Sequence, residues 1–186
     1  MPSYLDLRLR PDPEFLPHQL MDNLFAKLHR HLVEQAITDI GISFPKAGGT
    51  VLGLGHVMRL HSAEERLATL TAASWLAGMR ELVAMGDLLR VPANSTPFAV
   101  RRMQSKSNPE RIRRRQMKRK GWTAEQAKAA IPEACATRLR LPYLNVRSTS
   151  TGQNFRLFIR QTAVPKSAEG AFNSYGLSTT ATLPMF

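Results

Sequence analysis

The first half of the chain alternates between strand-like and helix-like spacings of its hydrophobic residues. Residues 4–10 place leucine at every second position, between charged residues, which predicts a half-buried strand. Residues 17–36 place leucine at every fourth position, which predicts an amphipathic helix. Further elements are predicted as strands at 40–44, 56–61 and 88–91, and as a helix that begins with a capping box over Ser62–Glu65 and continues to about Arg80. The resulting order, β-α-β-β-α-β, is that of a ferredoxin-like domain.

The second half begins with an extended segment at 98–106, followed by a strongly basic helix at 108–120. The helix start has two interpretations. Asn108 caps a helix with Pro109 at its first position, or Ser107 and Glu110 form a capping box.

A short helix and two strands follow the basic helix. The capping box from Thr123 to Gln126 predicts a short helix that ends near Pro132. Residues 143–160 predict two strands joined by a turn at Thr151-Gly152-Gln153. The fold class is therefore α+β. Because the segment 91–97 is rich in proline and polar residues, we expect a ferredoxin-like domain over 1–94 and a smaller, basic α+β domain over 95–186.

Positive charge is concentrated in the second half of the 186-residue chain, whose net charge is +12. Residues 1–94 carry 9 basic and 10 acidic side chains, whereas residues 95–186 carry 17 basic and 4 acidic ones. A polyanion is the natural partner of such a half. A membrane surface fits less well, because the basic stretch has no broad apolar face to insert.

The basic helix cannot be stable through packing alone. Seven of the ten residues from Arg111 to Lys120 are basic, and only Ile112 and Met117 are apolar. Like-charge neighbours four residues apart, such as Arg111 and Arg115, each cost about 0.2–0.5 kcal/mol. Ten helical residues span about 15 Å, enough to meet several phosphates along a groove. The pattern favours a nucleic-acid contact over the alternatives of a solvated helix or a basic tail.

Several classes of chemistry are disfavoured. The basic half has no tight pair of carboxylates for a two-metal nuclease, and the single cysteine, Cys135, has no partner for zinc. We therefore expect no metal and no cofactor. A charged N-terminus, the absence of an apolar run of about 18 residues and the lone thiol predict a cytoplasmic protein.

Metal-free cleavage of RNA remains open, because the 2′-OH of the substrate is itself the nucleophile and a histidine can carry the proton. On the wheel of the first helix, His31 falls inside the apolar arc at about 20° and His29 just past its edge at about 180°. His29 is thus the better candidate for a rim that faces a cleft, although by this argument alone a structural role is the safer interpretation.

Four motifs together resemble the CRISPR-associated endoribonucleases of type I-F systems: "YLDLRLRPDPEF", "QSKSNPERIRRR", "RSTSTGQNFRLFIR" and "YGLS". The resemblance implies a ferredoxin-like N-terminal domain and a C-terminal domain that grips the repeat stem-loop of precursor CRISPR RNA. It implies metal-independent cleavage at the 3′ base of the stem by 2′-OH attack, which leaves a 2′,3′-cyclic phosphate. It also implies that the enzyme stays on the mature CRISPR RNA with the other subunits of a surveillance complex. A non-catalytic hairpin-binding subunit of a ribonucleoprotein is the alternative.

The resemblance also assigns residues. His29 handles the proton, Ser148 holds the 2′-OH, and Tyr175 orients His29. The expected RNA-binding residues are Arg102 and Gln104 for base edges, Phe155 for stacking beside the cut, Ser150 on the strand face of Ser148, and Arg111, Arg114, Arg115, Lys118 and Arg119 for groove phosphates.

Each assignment has an alternative in the residues themselves. Ser148 and Ser150 would otherwise be structural serines at a strand end, Tyr175 and Phe155 core aromatics, and Arg102 one more phosphate contact. The glycine-rich loop of the wider superfamily is degenerate around Gly170 and Gly176, so we expect no phosphate-cradling role for it.

Overall fold

A computed structural model describes residues 1–48, 53–104, 109–133, 139–148 and 152–186. These residues form an α+β fold with two antiparallel sheets and four α-helices. The strands are β1 Ser3–Leu9, β2 Gly41–Ser43, β3 Val57–Ser62, β4 Val83–Met85, β5 Leu89–Arg90, β6 Thr96–Met103, β7 Tyr143–Arg147, β8 Asn154–Ala163 and β9 Leu183–Met185. The helices are α1 Pro17–Glu34, α2 Glu64–Ala72, α3 Pro109–Lys120 and α4 Ala124–Ala130, with a 3₁₀ turn at Ser74–Leu76.

The first sheet has the strand order β2-β3-β1-β4, and β5 also pairs with β1. The α1 leucines predicted to face the core are buried, together with Met21 and Phe25. The sheet also buries an ion pair, in which Arg59 Nε lies 2.6 Å from Asp6 Oδ1 and the guanidinium lies over the rings of Tyr4 and Phe186. The alternation in residues 4–10 predicts that Asp6 lies on a solvated face, and this prediction is wrong. Asp6 is buried, and the cation of Arg59 compensates its charge inside the sheet.

The second sheet has the order β7-β8-β6-β9. The extended segment predicted at 98–106 is confirmed as β6 as far as Met103, and its residues 105 and 106 lie outside the described residues. The two strands predicted within 143–160 are confirmed as the β7–β8 pair, while β9 was not predicted. The helix at 108–120 is confirmed as α3, although its capping residues Ser107 and Asn108 lie outside the described residues. The capping box of α4 is confirmed, since Thr123 Oγ1 accepts from Gln126 N at 3.2 Å and Gln126 Oε1 accepts from Thr123 N at 3.0 Å.

Two predictions in the first half were wrong. The capping box at Ser62 does not form, because Ser62 is the last residue of β3 and its hydroxyl donates to the carbonyl of Asp39 at 2.7 Å. The helix that follows ends at Ala72 rather than near Arg80. The indole N–H of Trp75 donates at 3.0 Å to the carbonyl of Leu70, which lies in the last turn of the helix. Further on, Gly78 adopts a left-handed conformation with φ +77°.

The fourth strand was predicted too late in the chain. In the path β2-β3-β1-β4 the fourth strand is Val83–Met85, which pairs with Leu7–Leu9. The predicted segment 88–91 contains the two-residue β5, which pairs with the other end of β1. The strand is interrupted between β4 and β5. Gly86 lies in this gap, and its N–H donates to the carbonyl of Asp6 at 2.8 Å.

The chain divides into two compact units, one formed by Met1–Arg102 with Leu141–Phe186 and the other by Met103–Arg140. The domain boundary expected between residues 94 and 95 stays a prediction. None of the helices formed by the described residues has the length and apolar character to span a membrane.

Candidate functional site

His29 lies half-buried on α1 and is held by a segment near the C-terminus. Its Nδ1 atom lies 2.7 Å from the carbonyl oxygen of Ser174. A carbonyl oxygen can only accept, so Nδ1 carries the proton of this bond. The neutral imidazole then has its lone pair on Nε2, which is the atom free to take a proton from a substrate.

A turn built around Asn173 presents that carbonyl. The side-chain oxygen of Asn173 accepts from the backbone N–H groups of Tyr175 at 2.9 Å and Leu177 at 3.2 Å. The N–H of Gly176 donates to the Asn173 carbonyl at 2.8 Å, and the carbonyl of Gly176 accepts from Ile42 N at 2.9 Å. Gly176 has a φ of +66°, and a Cβ atom there would overlap Ile42. The turn is thus fixed both internally and against β2.

The ring of Tyr175 stacks on the ring of His29. Their centroids lie 4.3 Å apart and their planes differ by 16°. The buried ring of Phe25, one turn earlier on α1, lies nearly parallel to both, with centroids 6.2 Å from His29 and 6.3 Å from Tyr175. The imidazole is therefore restrained in its plane by stacking and in its rotation by the Ser174 carbonyl.

Arg102 connects this cluster to Phe155. Its guanidinium carbon lies 5.9 Å from the centroid of Tyr175 and 5.3 Å from that of Phe155. Both distances lie within the range of a cation–π contact. The structure thus brings four of the predicted site residues, from α1, β6, β8 and the C-terminal turn, into one continuous chain of contacts.

Ser148 follows β7 on the same side of the sheet as Phe155. Val146 lies opposite Phe155 in the β7–β8 pair. Because side chains alternate along a strand, Ser148, two residues after Val146, projects to that same face. Its backbone N–H continues the pairing by donating to the carbonyl of Gln153 at 2.9 Å. The predicted residue Ser150 lies outside the described residues.

Within the described residues, no three or more His, Cys, Asp and Glu side chains come together in a way that could hold a metal ion. A surface pocket of about 560 Å³ contains His18 and His56 in its wall, together with Asp22 and Tyr143. None of the residues clustered around His29 lines this pocket; of these, Arg102 is exposed, while His29, Phe155 and Tyr175 are half-buried.

Comparison with known proteins identifies the family of the chain. A family model described as "CRISPR-associated protein (Cas_Csy4)" matches residues 4–186. The chain is 47% identical over 188 residues to the "CRISPR-associated endonuclease Cas6/Csy4" of Pseudomonas aeruginosa (strain UCBPP-PA14), and the match covers 100% of both proteins. It is 43% identical, again over 100% of both, to the protein of the same name from Escherichia coli (strain UTI89 / UPEC). The chain belongs to the Cas_Csy4 family.

The basic helix of this Cas_Csy4 chain lies in the second unit. All five side chains predicted to contact phosphates are exposed: Arg111, Arg114, Arg115, Lys118 and Arg119. Arg113 differs from them. Its guanidinium donates to the carbonyl of Ile131 at 2.6 and 2.8 Å and pairs with Glu133, so it fastens α3 to the segment after α4. Gln104, predicted to read a base edge, is also exposed.

Three residues that support the candidate site or the basic helix were missed by the sequence interpretation. Asn173 carries a recognisable signal, since asparagine shortly before glycine favours a turn. Phe25 was identified only as a core residue, and nothing in the helical pattern indicates that it supports His29. Arg113 is indistinguishable from its basic neighbours in sequence, because only the fold places it against α4.

Proposed function

We propose that this chain is a metal-independent endoribonuclease that cleaves precursor CRISPR RNA at the 3′ base of the repeat stem-loop. The endonuclease names of its full-length relatives support the activity and the CRISPR substrate. The observation that best supports this chemistry is the tautomer and orientation of the His29 imidazole. Its Nδ1 is bound to the Ser174 carbonyl at 2.7 Å and its ring is stacked on Tyr175, which leaves Nε2 as a positioned base.

In the proposed reaction, Nε2 of His29 takes the proton of the 2′-OH next to the scissile phosphate. The 2′ oxygen then forms a bond to phosphorus, and the bond from phosphorus to the 5′ oxygen breaks. The products are a 2′,3′-cyclic phosphate and a strand whose 5′ oxygen takes up one proton. General base catalysis of this kind contributes about 10²–10⁴-fold to the rate.

Ser148 is proposed to hold the 2′-OH during this step. The support for this role is the alternation along β7, by which Ser148 shares the sheet face of Phe155. Arg102 contacts both Phe155 and Tyr175, and Tyr175 stacks on His29. A hydroxyl at this position can donate to or accept from the 2′-OH and so fix its direction of attack.

Residues 95–186 are proposed to make most of the contacts that bind the hairpin. The exposed basic side chains of α3 follow the groove phosphates, and Phe155 stacks on a base beside the cut. Arg102 and Gln104 read base edges, where each bidentate contact is worth about 1–3 kcal/mol of discrimination. Because the major groove of A-form RNA is deep, these two residues act at the open end of the stem.

The first sheet is proposed to be the sheet of a ferredoxin-like domain over residues 1–94. The support is its strand order, β2-β3-β1-β4, with α1 between β1 and β2 and α2 between β3 and β4. After cleavage, the protein is proposed to remain on the hairpin of the mature CRISPR RNA as a subunit of a type I-F surveillance complex.

The deciding experiment uses a CRISPR repeat hairpin in EDTA, with either an ordinary 2′-OH or a 2′-deoxy nucleotide at the expected cut. We expect cleavage of the first RNA alone, at the stem base, and its loss in His29→Ala. The matched control is His31→Ala, two residues further along the same helix. The ring of His31 lies 6.5 Å from that of Trp75, whereas the ring of His29 stacks on Tyr175. If both RNAs are bound and neither is cut, the chain is a hairpin-binding subunit and the catalytic assignments are wrong.

A further inference from the structure

A carboxylate of α1 holds one strand of the second sheet. Oδ1 of Asp22 accepts from the backbone N–H of Asn145 at 2.9 Å, and Oδ2 of Asp22 accepts from the side-chain amide of Asn145 at 2.7 Å. Both oxygens of one residue are therefore bound by two donors of the other. We call these two hydrogen bonds the Asp22–Asn145 clamp.

The clamp uses a backbone group that points away from the sheet. β7 is the first strand in the order β7-β8-β6-β9, so it lies at the edge among the described strands. The N–H groups of such a strand alternate in direction, and that of Asn145 points outward, to Asp22 rather than to β8. A carboxylate accepts such a bond more strongly than a neutral group does. Asp22 thus takes the place of a neighbouring strand at this position.

Apolar packing by itself does not fix β7 along α1. Leu144 and Val146, on either side of Asn145, are buried in the core. Burial of apolar surface is non-directional, so it holds the strand near the helix without setting how far one lies along the other. Hydrogen bonds are directional, and two of them to one carboxylate fix both the position and the rotation of the strand. The clamp therefore sets the register of β7 along α1.

The clamp lies at matched distances from the two proposed catalytic residues. His29 follows Asp22 by seven residues, which is about two helical turns and about 10 Å along the same face of α1. Ser148 follows Asn145 by three residues, which is also about 10 Å along an extended strand. Equal lengths of helix and strand thus separate the clamp from the base and from the hydroxyl.

The contacts of Phe155 show that the two lengths extend to the same end of α1. Phe155 is the partner of Val146, which is the residue directly after the clamp in β7. Arg102 contacts the rings of both Phe155 and Tyr175. Tyr175 in turn stacks on His29. The helix and the strand therefore extend from the clamp in the same direction, toward the proposed site.

We propose that Asp22 and Asn145 are positioning residues, which set the distance between Nε2 of His29 and the hydroxyl of Ser148. The proposal rests on the proposed function, in which His29 takes the proton of the 2′-OH that Ser148 holds. Neither residue of the clamp touches RNA in this role. A displacement of about 1 Å between reacting groups lowers a rate by about 10²-fold, so loss of the clamp slows the chemical step rather than weakening binding.

The exposure of the clamp separates this role from a purely structural one. Asn145 is exposed and Asp22 is half-buried. Water therefore replaces a partner that is lost by substitution, and the loss costs the fold little. Water does not hold the strand to the helix, so the same loss leaves the distance between base and hydroxyl unfixed.

The test measures single-turnover cleavage of a repeat hairpin in EDTA at saturating protein, and the affinity for the same hairpin with a 2′-deoxy nucleotide at the cut. Asp22→Ala should lower the cleavage rate by about 10–100-fold and leave the affinity equal to that of the control. The matched control is Asp39→Ala, which removes the same charge from a carboxylate that pairs with Arg66 at 2.8 Å. This control should cleave at the wild-type rate.

Exchange of the two side chains should restore the clamp. Near pH 8, Asn145→Asp alone places two ionised carboxylates together, and it should lower the rate as Asp22→Ala does. In the double variant Asp22→Asn, Asn145→Asp, the amide at position 22 accepts from the backbone N–H through its oxygen and donates to the new carboxylate through its nitrogen. The double variant should recover most of the wild-type rate. If Asp22→Ala does not fold, this comparison tests the proposal without it.

A second readout connects the clamp to Ser148. Ser148→Ala should slow the wild-type protein, but it should slow Asp22→Ala much less, because Ser148 is already displaced in that variant. Two residues that act independently would instead give losses that multiply.

Three results would overturn the inference: a folded Asp22→Ala protein that cleaves at the wild-type rate, an exchange variant as slow as Asn145→Asp, or losses of Asp22→Ala and Ser148→Ala that multiply. A loss of hairpin affinity in proportion to the rate would also overturn it. In each case the proposed function stands if the wild-type protein cuts in EDTA and His29→Ala does not. A wild-type protein that does not cut would reject the proposed function, and this inference with it.

Discussion

The imidazole of His29 and the phenol ring of Tyr175 lie face to face, with centroids 4.3 Å apart and planes within 16° of each other. The two residues come from opposite ends of the chain, and the carbonyl of Ser174, the residue before Tyr175, accepts the hydrogen bond from His29 Nδ1. One short segment therefore sets both the plane and the tautomer of the proposed base.

Tyr175 is expected to act through its ring rather than through its hydroxyl. Tyr175→Phe keeps the stacked surface, so its single-turnover cleavage rate should stay within about threefold of wild type. Tyr175→Ala removes the ring and should lower that rate about tenfold, since a stacked pair is worth about 0.5–1.5 kcal/mol. Hairpin affinity should change little in either variant. A Phe variant as slow as the Ala variant would show that the hydroxyl is what matters.

Asn173 is expected to position His29 without touching RNA. Asn173→Ala removes the acceptor of two backbone N–H groups, at Tyr175 and Leu177, and should lower the cleavage rate at least tenfold. Asn173→Asp keeps an acceptor oxygen and should recover most of the rate.

A nitrogen NMR spectrum of the RNA-free protein provides a second readout for Asn173. Wild type should show His29 protonated at Nδ1, and the Ala variant a mixture of tautomers. Asn23→Ala, at an exposed asparagine of α1, is the control. An unchanged His29 spectrum in Asn173→Ala would contradict the positioning role, whatever the cleavage rate.

Substitutions of two arginines of α3 should have different effects, one on RNA binding and the other on the stability of the fold. Arg115→Ala removes an exposed cation, so hairpin binding should weaken and the slope of log K against log salt should become shallower by about 0.9. Arg113→Ala should leave the slope unchanged. It should instead lower the protection of α4 amides from hydrogen exchange, because the Ile131 carbonyl and Glu133 lose their partner, at a cost of about 1.5–3 kcal/mol. Equal effects of the two variants on the slope would contradict this division.

His61 should make the folded state sensitive to acid. Burial, reinforced by the cation of Arg59, lowers the pKa of His61 from 6.5 to about 3. Between these values the unfolded chain binds a proton that the folded chain does not. Stability is therefore full above pH 6.5 and falls as the pH drops toward 3, by up to about 1.4 kcal/mol per pH unit.

The measurement for His61 is the urea midpoint at pH values from 7 to 5, where few carboxylates titrate. His61→Gln cannot titrate, so its midpoint should depend less on pH than that of wild type, even if the variant is less stable throughout. His56→Gln, at an exposed histidine just before β3, should behave like wild type. A pH dependence that survives in His61→Gln would assign the effect to other groups.

The sequence alone predicts those elements whose signals are local. The period of leucines in α1, the capping box of α4 and the alternation in β7 and β8 each report a structure formed by neighbouring residues, and each is confirmed. The same local rules fail at Ser62, because a hydrogen bond to Asp39 decides its role. They fail again at residues 83–91, where two short apolar segments compete and pairing with β1 decides between them.

For the candidate site, the motifs by themselves determined the family, the basic helix and the identity of the residues proposed to cut and to bind. Only the tertiary structure decided how these residues are held. The partner of His29 lies 145 residues further along the chain, and Arg102, Tyr175 and Phe155 meet across three separate elements. No spacing in the sequence encodes such contacts, because they arise when the sheets and α1 bury their apolar faces together and bring distant side chains within a few ångströms.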